Sequence, residues 1–260
     1  MKSVAAQILF AEAEENNLDE KVQQARWNRW HTCGLCEQEY LGDVRCALGW
    51  ACWKTNLGRP ETDWARVRAM NQLGLGLSEA ENHADALSVQ EAELSTVRRL
   101  HAPAYHMIAV SSNLANTYAA LGHSEKALSM RQKVYSDTLR LHGEDNKDTF
   151  KAAINYANSL VALKRFGETK SLLRKTLPVT RRVLGENNEL TLTMRMNYAG
   201  TLYEDPGATL DDIREAVMTL EETERTARRV LGGAHPVVVE MEESLRNARA
   251  ALRARETPDA

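Results

Sequence analysis

Four cysteines stand close together, at Cys33, Cys36, Cys46 and Cys52, with His31 just ahead of them. Thiolate and imidazole are the usual ligands of zinc, and Cys33-Gly-Leu-Cys36 presents two sulfurs on one tight turn, half of a tetrahedral site. The other half is poorer. Cys46 and Cys52 are six residues apart on a helical stretch, about 600° of rotation, so they face different ways. Cys46 also falls at a position where helices pack, and a small apolar thiol is natural there. The candidate zinc set is therefore His31, Cys33, Cys36 and Cys46, weighed against ordinary structural cysteines. A thioredoxin-like redox role needs a βαβ context, which is missing. Four cysteines in one short segment fit a reducing compartment better than a disulfide framework.

Signatures of other chemistry are not found. The chain has no Gly-x-x-x-x-Gly-Lys phosphate loop, no Gly-x-Ser-x-Gly elbow and no His-Glu-x-x-His metal helix. Gly74 and Gly76 lie within a helical stretch and follow no strand, so they make no nucleotide loop. Glu221-Glu-Thr-Glu reads as a solvated helix face. Neither catalysis nor a cofactor is expected.

Asparagine is the remaining candidate, because it recurs. Asn113-Leu-Ala-Asn-Thr-Tyr is answered 42 residues later by Asn155-Tyr-Ala-Asn-Ser-Leu, and again by Asn197-Tyr-Ala-Gly-Thr-Leu. Leu121 answers Leu163, Gly143 answers Gly185, and Thr149 answers Thr191. A fixed period in the range of roughly 20–50 residues indicates a repeat architecture. An amide side chain both donates and accepts, so it can clamp the backbone of a bound peptide whatever its sequence.

The elements that must position these amides are helix pairs. A large residue beside a small one marks each first helix: Leu73-Gly74, Leu114-Ala115, Tyr156-Ala157 and Tyr198-Ala199. The small residue allows close approach and the large one fills the gap. Each second helix spans 16 residues from a small residue to its end: Ala127 to Gly143, Thr169 to Gly185, Ala216 to Gly232, Ala86 to Ala102 and Gly42 to Gly58. On this count residues 40–57 form the second helix of a degenerate leading repeat, with the Cys-x-x-Cys segment where its first helix would be. From Asn197 to Ala216 the spacing exceeds that of the other repeats by five residues. That excess maps to residues 203–209, where Pro206-Gly207 signals a turn and a longer loop.

Glycines 143, 185 and 232 suit the left-handed position that ends a helix, and Pro236 suits the first turn of the next one. A last helix follows, with Met241, Leu245, Ala248 and Leu252 inward and many Arg and Glu outward, as a capping helix requires. At the other end, Val4, Ile8 and Phe10, with Ala5, Ala6 and Ala11, suggest one apolar face. Trp27 and Trp30 lie three apart, and all five tryptophans precede Ala65, which suggests an aromatic cluster closing the N-terminal end.

Helix pairs with the pattern of residues 114–127 resemble tetratricopeptide repeats. The 42-residue period and the linkers Val183-Leu-Gly and Val230-Leu-Gly-Gly-Ala-His-Pro resemble the repeats of kinesin light chains. The resemblance runs from about Arg66 to Arg255, and there is no heptad region for a kinesin heavy chain. It implies an all-α, right-handed superhelical solenoid of tetratricopeptide-like helix pairs. It also implies a concave groove lined by first helices, so that Asn113, Asn155 and Asn197 stack in a ladder with Asn116 and Asn158 beside them. Lys151, Arg195 and Arg68 would lend that groove positive character. In relatives that bind chaperone tails, an asparagine at the place of Asn116 and Asn158 helps hold a terminal carboxylate. The companion lysine is absent here, since Ser112 and Ile154 stand in its place, so no carboxylate clamp is expected.

The expected organisation has four parts: a helical segment over 1–38 with the Cys-x-x-Cys turn, a degenerate repeat over 39–65, repeats over 66–236, and a capping helix and tail over 237–260. The expected function is a scaffold that holds a protein or peptide partner in the groove. The alternative is a zinc-containing adaptor whose metal module is residues 31–52. A net charge of −3 from 33 basic and 36 acidic residues argues against nucleic acid and membrane surfaces as partners. With no run of about 18 apolar residues and no secretory leader pattern, the expected location is cytoplasmic. Oligomeric state is not readable from these residues.

Overall fold

The structure, a computed structural model, describes residues 2–256. The end of the tail expected after the last helix, residues 257–260, lies outside them. Twelve α-helices account for most of the described chain: α1 Lys2–Glu15, α2 Glu20–Trp27, α3 Gly42–Asn56, α4 Trp64–Glu79, α5 His83–Arg99, α6 Ala104–Ala120, α7 Ser124–His142, α8 Lys147–Ala162, α9 Phe166–Leu184, α10 Glu189–Glu204, α11 Leu210–Leu231 and α12 Pro236–Glu256. Among the described residues there is no strand, only an isolated antiparallel bridge between Thr32 and Glu39. The fold is all-α, built from tetratricopeptide-like helix pairs. It divides into two compact units, Met1–Ala127 and Leu128–Ala260, with the boundary in the first turn of α7.

In the first unit α3 and α4 approach unusually closely, and glycine is the reason. A Cβ on Gly49 would lie 2.8 Å from the Gln72 carbonyl oxygen, and one on Gly76 would lie 2.8 Å from that of Arg45. The close crossing is thus made at Gly49 and Gly76 and not at Gly42, the small residue from which the 16-residue span of this helix was counted. Gly42 opens α3 at a φ of +53°, and nothing lies near its missing Cβ. Trp27 and Trp30 are buried with Ala6, Phe10, Cys52, Ala65 and Ala69. Trp30 lies on a short 3-10 turn that follows α2, not on α2 itself. Among the described side chains of α1, Ala6, Phe10 and Ala13 are buried. Val4 and Ile8, expected on the same face, are exposed.

In the second unit the core runs through the small residues that the repeats share. Ala157, Thr169, Ala199 and Ala216 are all fully buried. Gly143, Gly185 and Gly232 end their helices at φ values of +82°, +85° and +87°. The five-residue excess between Asn197 and Ala216 is not all loop. Residues 163–165 join α8 to α9, residues 205–209 join α10 to α11, and α11 starts three residues further ahead of its buried small residue than α9 does. Two extra residues therefore enter the loop and three extend the helix. The extension holds because Thr209 and Asp212 close a capping box on it. Helix α12 lays Val238, Met241, Leu245 and Ala248 against the α10–α11 pair and covers what would be an exposed apolar face.

Candidate functional site

In the second unit the first helices α8 and α10 are joined through the recurring amides. Asn197 Nδ2 donates to Asn158 Oδ1 at 2.7 Å. The expected stack of Asn155 upon Asn197 is therefore shifted by one turn, because Asn158 lies three residues beyond Asn155 on nearly the same face. Asn158 is exposed and Asn197 half-buried. Asn155 offers its backbone carbonyl to Arg131 Nη1 at 3.3 Å, and the same nitrogen donates to Ser159 Oγ at 2.8 Å. Arg131 thus ties α7 to α8 beneath the amide row.

The cations expected to charge this face are mostly matched. Arg195 Nη2 lies 2.6 Å from Glu222 Oε2, and its Nη1 lies 3.8 Å from Glu186 Oε2. Lys151 Nζ lies 3.6 Å from Asp148 Oδ1 on the same helix. The face is polar and close to electrically balanced, which suits amide-to-backbone recognition better than attraction of an anion.

In the first unit Asn113 is half-buried, with its carbonyl accepting from Thr117 Oγ1 at 3.4 Å, and Asn116 is exposed. The more enclosed feature of this unit lies between α4 and α6, where α5 forms the floor and α2 closes one side. A cavity of about 230 Å³ opens there, lined among others by Trp27, Trp64, Arg68, Asn71, Glu93 and His106. The Trp64 and His106 rings stack with centroids 4.9 Å apart and planes 13° from parallel. Arg68 lies over the Trp27 ring at 4.2 Å and donates to Gln24 Oε1 at 2.7 Å. Burial lowers the His106 pKa, with a smaller push from Arg68.

Glu93 is the anomalous residue of this cavity. It is only 2% exposed, and its one polar contact among the described residues is a long one, 3.5 Å from Asn71 Nδ2. Burial pushes its carboxyl up to about 8, against a small opposing pull from Asn71. Nearby Gln90 is equally buried but satisfied, accepting from Thr117 Oγ1 at 2.7 Å and donating to Ser78 Oγ at 3.4 Å. Glu93 is not among the candidates that the sequence offers. The available signal was its register: Ala86, Gln90, Glu93, Leu94 and Val97 form the inward stripe of α5, and an acid within such a stripe is conspicuous.

The cysteine segment forms a tight polar loop. Cys33 N donates to Gln38 O at 2.8 Å, Glu37 N to Cys33 O at 3.0 Å, and Tyr40 N to His31 O at 2.8 Å. The Cys33 thiol is lowered to about 7, chiefly by the backbone N–H of Cys36, then that of Leu35 and the Cys36 thiol. Cys46 is instead packed against the Leu73–Leu77–Ala86 cluster, and Cys52 is fully buried, its thiol pushed up to about 12. Among the described residues no three His, Cys, Asp or Glu side chains converge as a metal site. His31, Cys33, Cys36 and Cys46 are therefore not brought together as one ligand set.

Residues 149–189 match the family model of a tetratricopeptide repeat. No curated protein matches the sequence. Among solved structures, BtubC (BKLC) from P. vanneervenii is 15% identical at a TM-score of 0.60, over 83% of this chain and 92% of that one. A putative kinesin light chain with nearly identical TPR-like repeats from Podosopora anserina is 17% identical at a TM-score of 0.61, over 74% and 88%. A Rap protein complexed with Competence and Sporulation Factor is 12% identical at a TM-score of 0.53, over 82% and 60%. At these identities the likeness concerns the fold. Residues 149–189 thus carry a tetratricopeptide repeat, and the fold of the chain is similar to that of the TPR-like repeats of a putative kinesin light chain.

Proposed function

We propose that this protein is a non-catalytic scaffold that holds a protein or peptide partner along its first helices, with Asn113, Asn116, Lys151, Asn155, Asn158, Arg195 and Asn197 as the contact residues. The observation that carries the reading is the Asn158–Asn197 bond. It holds both side chains in one arrangement, and no other bond among the described residues engages Asn197 Oδ1 or Asn158 Nδ2. An acceptor and a donor are thus held side by side, a match for the carbonyl and N–H of an extended backbone. Preorganisation of this kind reduces the ordering cost of binding. The balanced charge of the face and the net charge of −3 both favour a protein partner over nucleic acid. A solved structure of the same fold, the Rap protein, is in complex with Competence and Sporulation Factor. No helix among the described residues is long and apolar enough to cross a membrane.

The reading is tested by affinity capture from native lysate, comparing the intact protein with a folded Asn155→Ala/Asn158→Ala/Asn197→Ala variant. A partner retained by the former and lost by the latter supports it. Equal retention of the same partner by both contradicts it.

A further inference from the structure

The proposed amide row leaves the cavity of the first unit unused, together with the Glu93 carboxyl, the one buried carboxyl among the described residues. A carboxyl withdrawn from water is costly unless hydrogen-bonded or paired, and a 3.5 Å contact to Asn71 does little to offset that cost. Its neighbour Gln90 shows that the same helix face can satisfy a buried polar side chain fully, so the deficit is local to Glu93.

The cavity has a shape and lining that select an occupant. At about 230 Å³ it is smaller than the roughly 300–1,000 Å³ of typical small-molecule sites, but large enough for one long side chain. Its walls are the stacked Trp64–His106 pair and Trp27, whose ring faces attract cations. Arg68 already seats a guanidinium in this way, over Trp27 with an amide oxygen accepting its N–H. Because Arg68 has those partners, the outstanding demand in the cavity is for a hydrogen-bonding partner at Glu93, which a cationic donor would meet, and not for negative charge at Arg68.

We propose that this cavity is the side-chain specificity pocket of the scaffold, receiving an arginine or lysine side chain of the partner peptide between the aromatic walls, with its cationic head on Glu93. The inference rests on the partner-binding reading above. In the empty pocket Glu93 is held protonated by burial, and it gives up that proton when the cation enters. Around it the chargeable groups are Arg68 on α4, His106 on α6 and His31 beyond α2, and burial keeps both histidines below their ordinary range.

The test is retention of a ten-residue peptide library, randomised at every position, on the full-length protein, followed by sequencing of what is retained. Three variants are run in parallel: Glu93→Gln, which matches the neutral carboxyl in shape and so should fold; Trp64→Leu, which removes one wall at a partly exposed position; and Asn158→Ala/Asn197→Ala. The expected result is about tenfold enrichment of Arg or Lys at one position, lost in Glu93→Gln and reduced in Trp64→Leu, while other retained features persist. Retention without a basic preference, with an acidic preference, or with a basic preference unchanged in Glu93→Gln overturns the pocket but leaves the groove standing. If the intact protein retains no peptide, both readings fall. If retention is insensitive to the Asn158/Asn197 variant yet the Glu93-dependent preference survives, the pocket stands and the amide row fails.

Discussion

Asn197 Nδ2 lies 2.7 Å from Asn158 Oδ1, so that two asparagines from successive repeats form one hydrogen-bonded unit across α8 and α10. Its stability value should be small, because the pair is partly exposed and water replaces what is lost. Asn197→Ala should destabilise the protein by only about 0.5–1.5 kcal/mol, the usual net worth of one such bond. Urea unfolding measures this. Loss of partner retention far beyond what that figure explains would mark the pair as a recognition element.

Glu93 predicts an unusual pH dependence. Its folded value, about 8, lies above the ordinary value of 4.5, so between these limits the folded chain holds a proton that the unfolded chain has released. Stability should therefore fall as pH rises through that window and level off above it. Glu93→Gln should remove this part of the slope and stabilise the protein at about pH 9 by a few kcal/mol, on the scale of roughly 1.4 kcal/mol per pKa unit. Thermal unfolding of both proteins between about pH 5 and pH 9 gives the comparison.

The glycines of the close crossing should not tolerate a methyl group. In Gly49→Ala and Gly76→Ala the new Cβ would meet backbone atoms at 2.8 Å, and backbone cannot rotate away. Each should cost about 1–3 kcal/mol or more. Gly200→Ala, also within a helix, meets only the Glu204 carboxylate at an ordinary 3.7 Å and should instead stabilise by about 0.5–1 kcal/mol.

The cysteines should separate by reactivity. Cys33, lowered to about 7 by backbone N–H donors, should be alkylated first by iodoacetamide near neutral pH, with a rate that rises through pH 7. Cys46, raised by partial burial, should lag, and Cys52, fully buried, should react only on unfolding. Mass spectrometry of timed samples reads the order.

The repeat framework was legible because it is written in local rules: glycines at left-handed helix ends, and small residues where helices cross. Asn113, Asn155 and Asn197 could be named for the same reason. Their pairing could not, since whether Asn197 meets Asn155 or Asn158 depends on the stagger of two helices packed in space. The 16-residue span counted from Gly42 did not reveal the close crossing of α3, which Gly49 and Gly76 make. The five-residue excess pointed to a loop, but the Thr209–Asp212 capping box turned three of those residues into helix. Glu93 was visible as an acid in an apolar stripe, but its missing partner emerges only when α2, α4 and α6 are assembled around it.

The central claim is that the partner lies along the first helices. A photo-cross-linking residue placed at Ala162, exposed and one helical turn beyond Asn158 on α8, tests this most directly against one placed at Met218, exposed on the second helix α11. The account predicts that the captured partner cross-links from position 162 and not from position 218. Cross-linking from 218 alone would contradict it and move the interaction to the second helices.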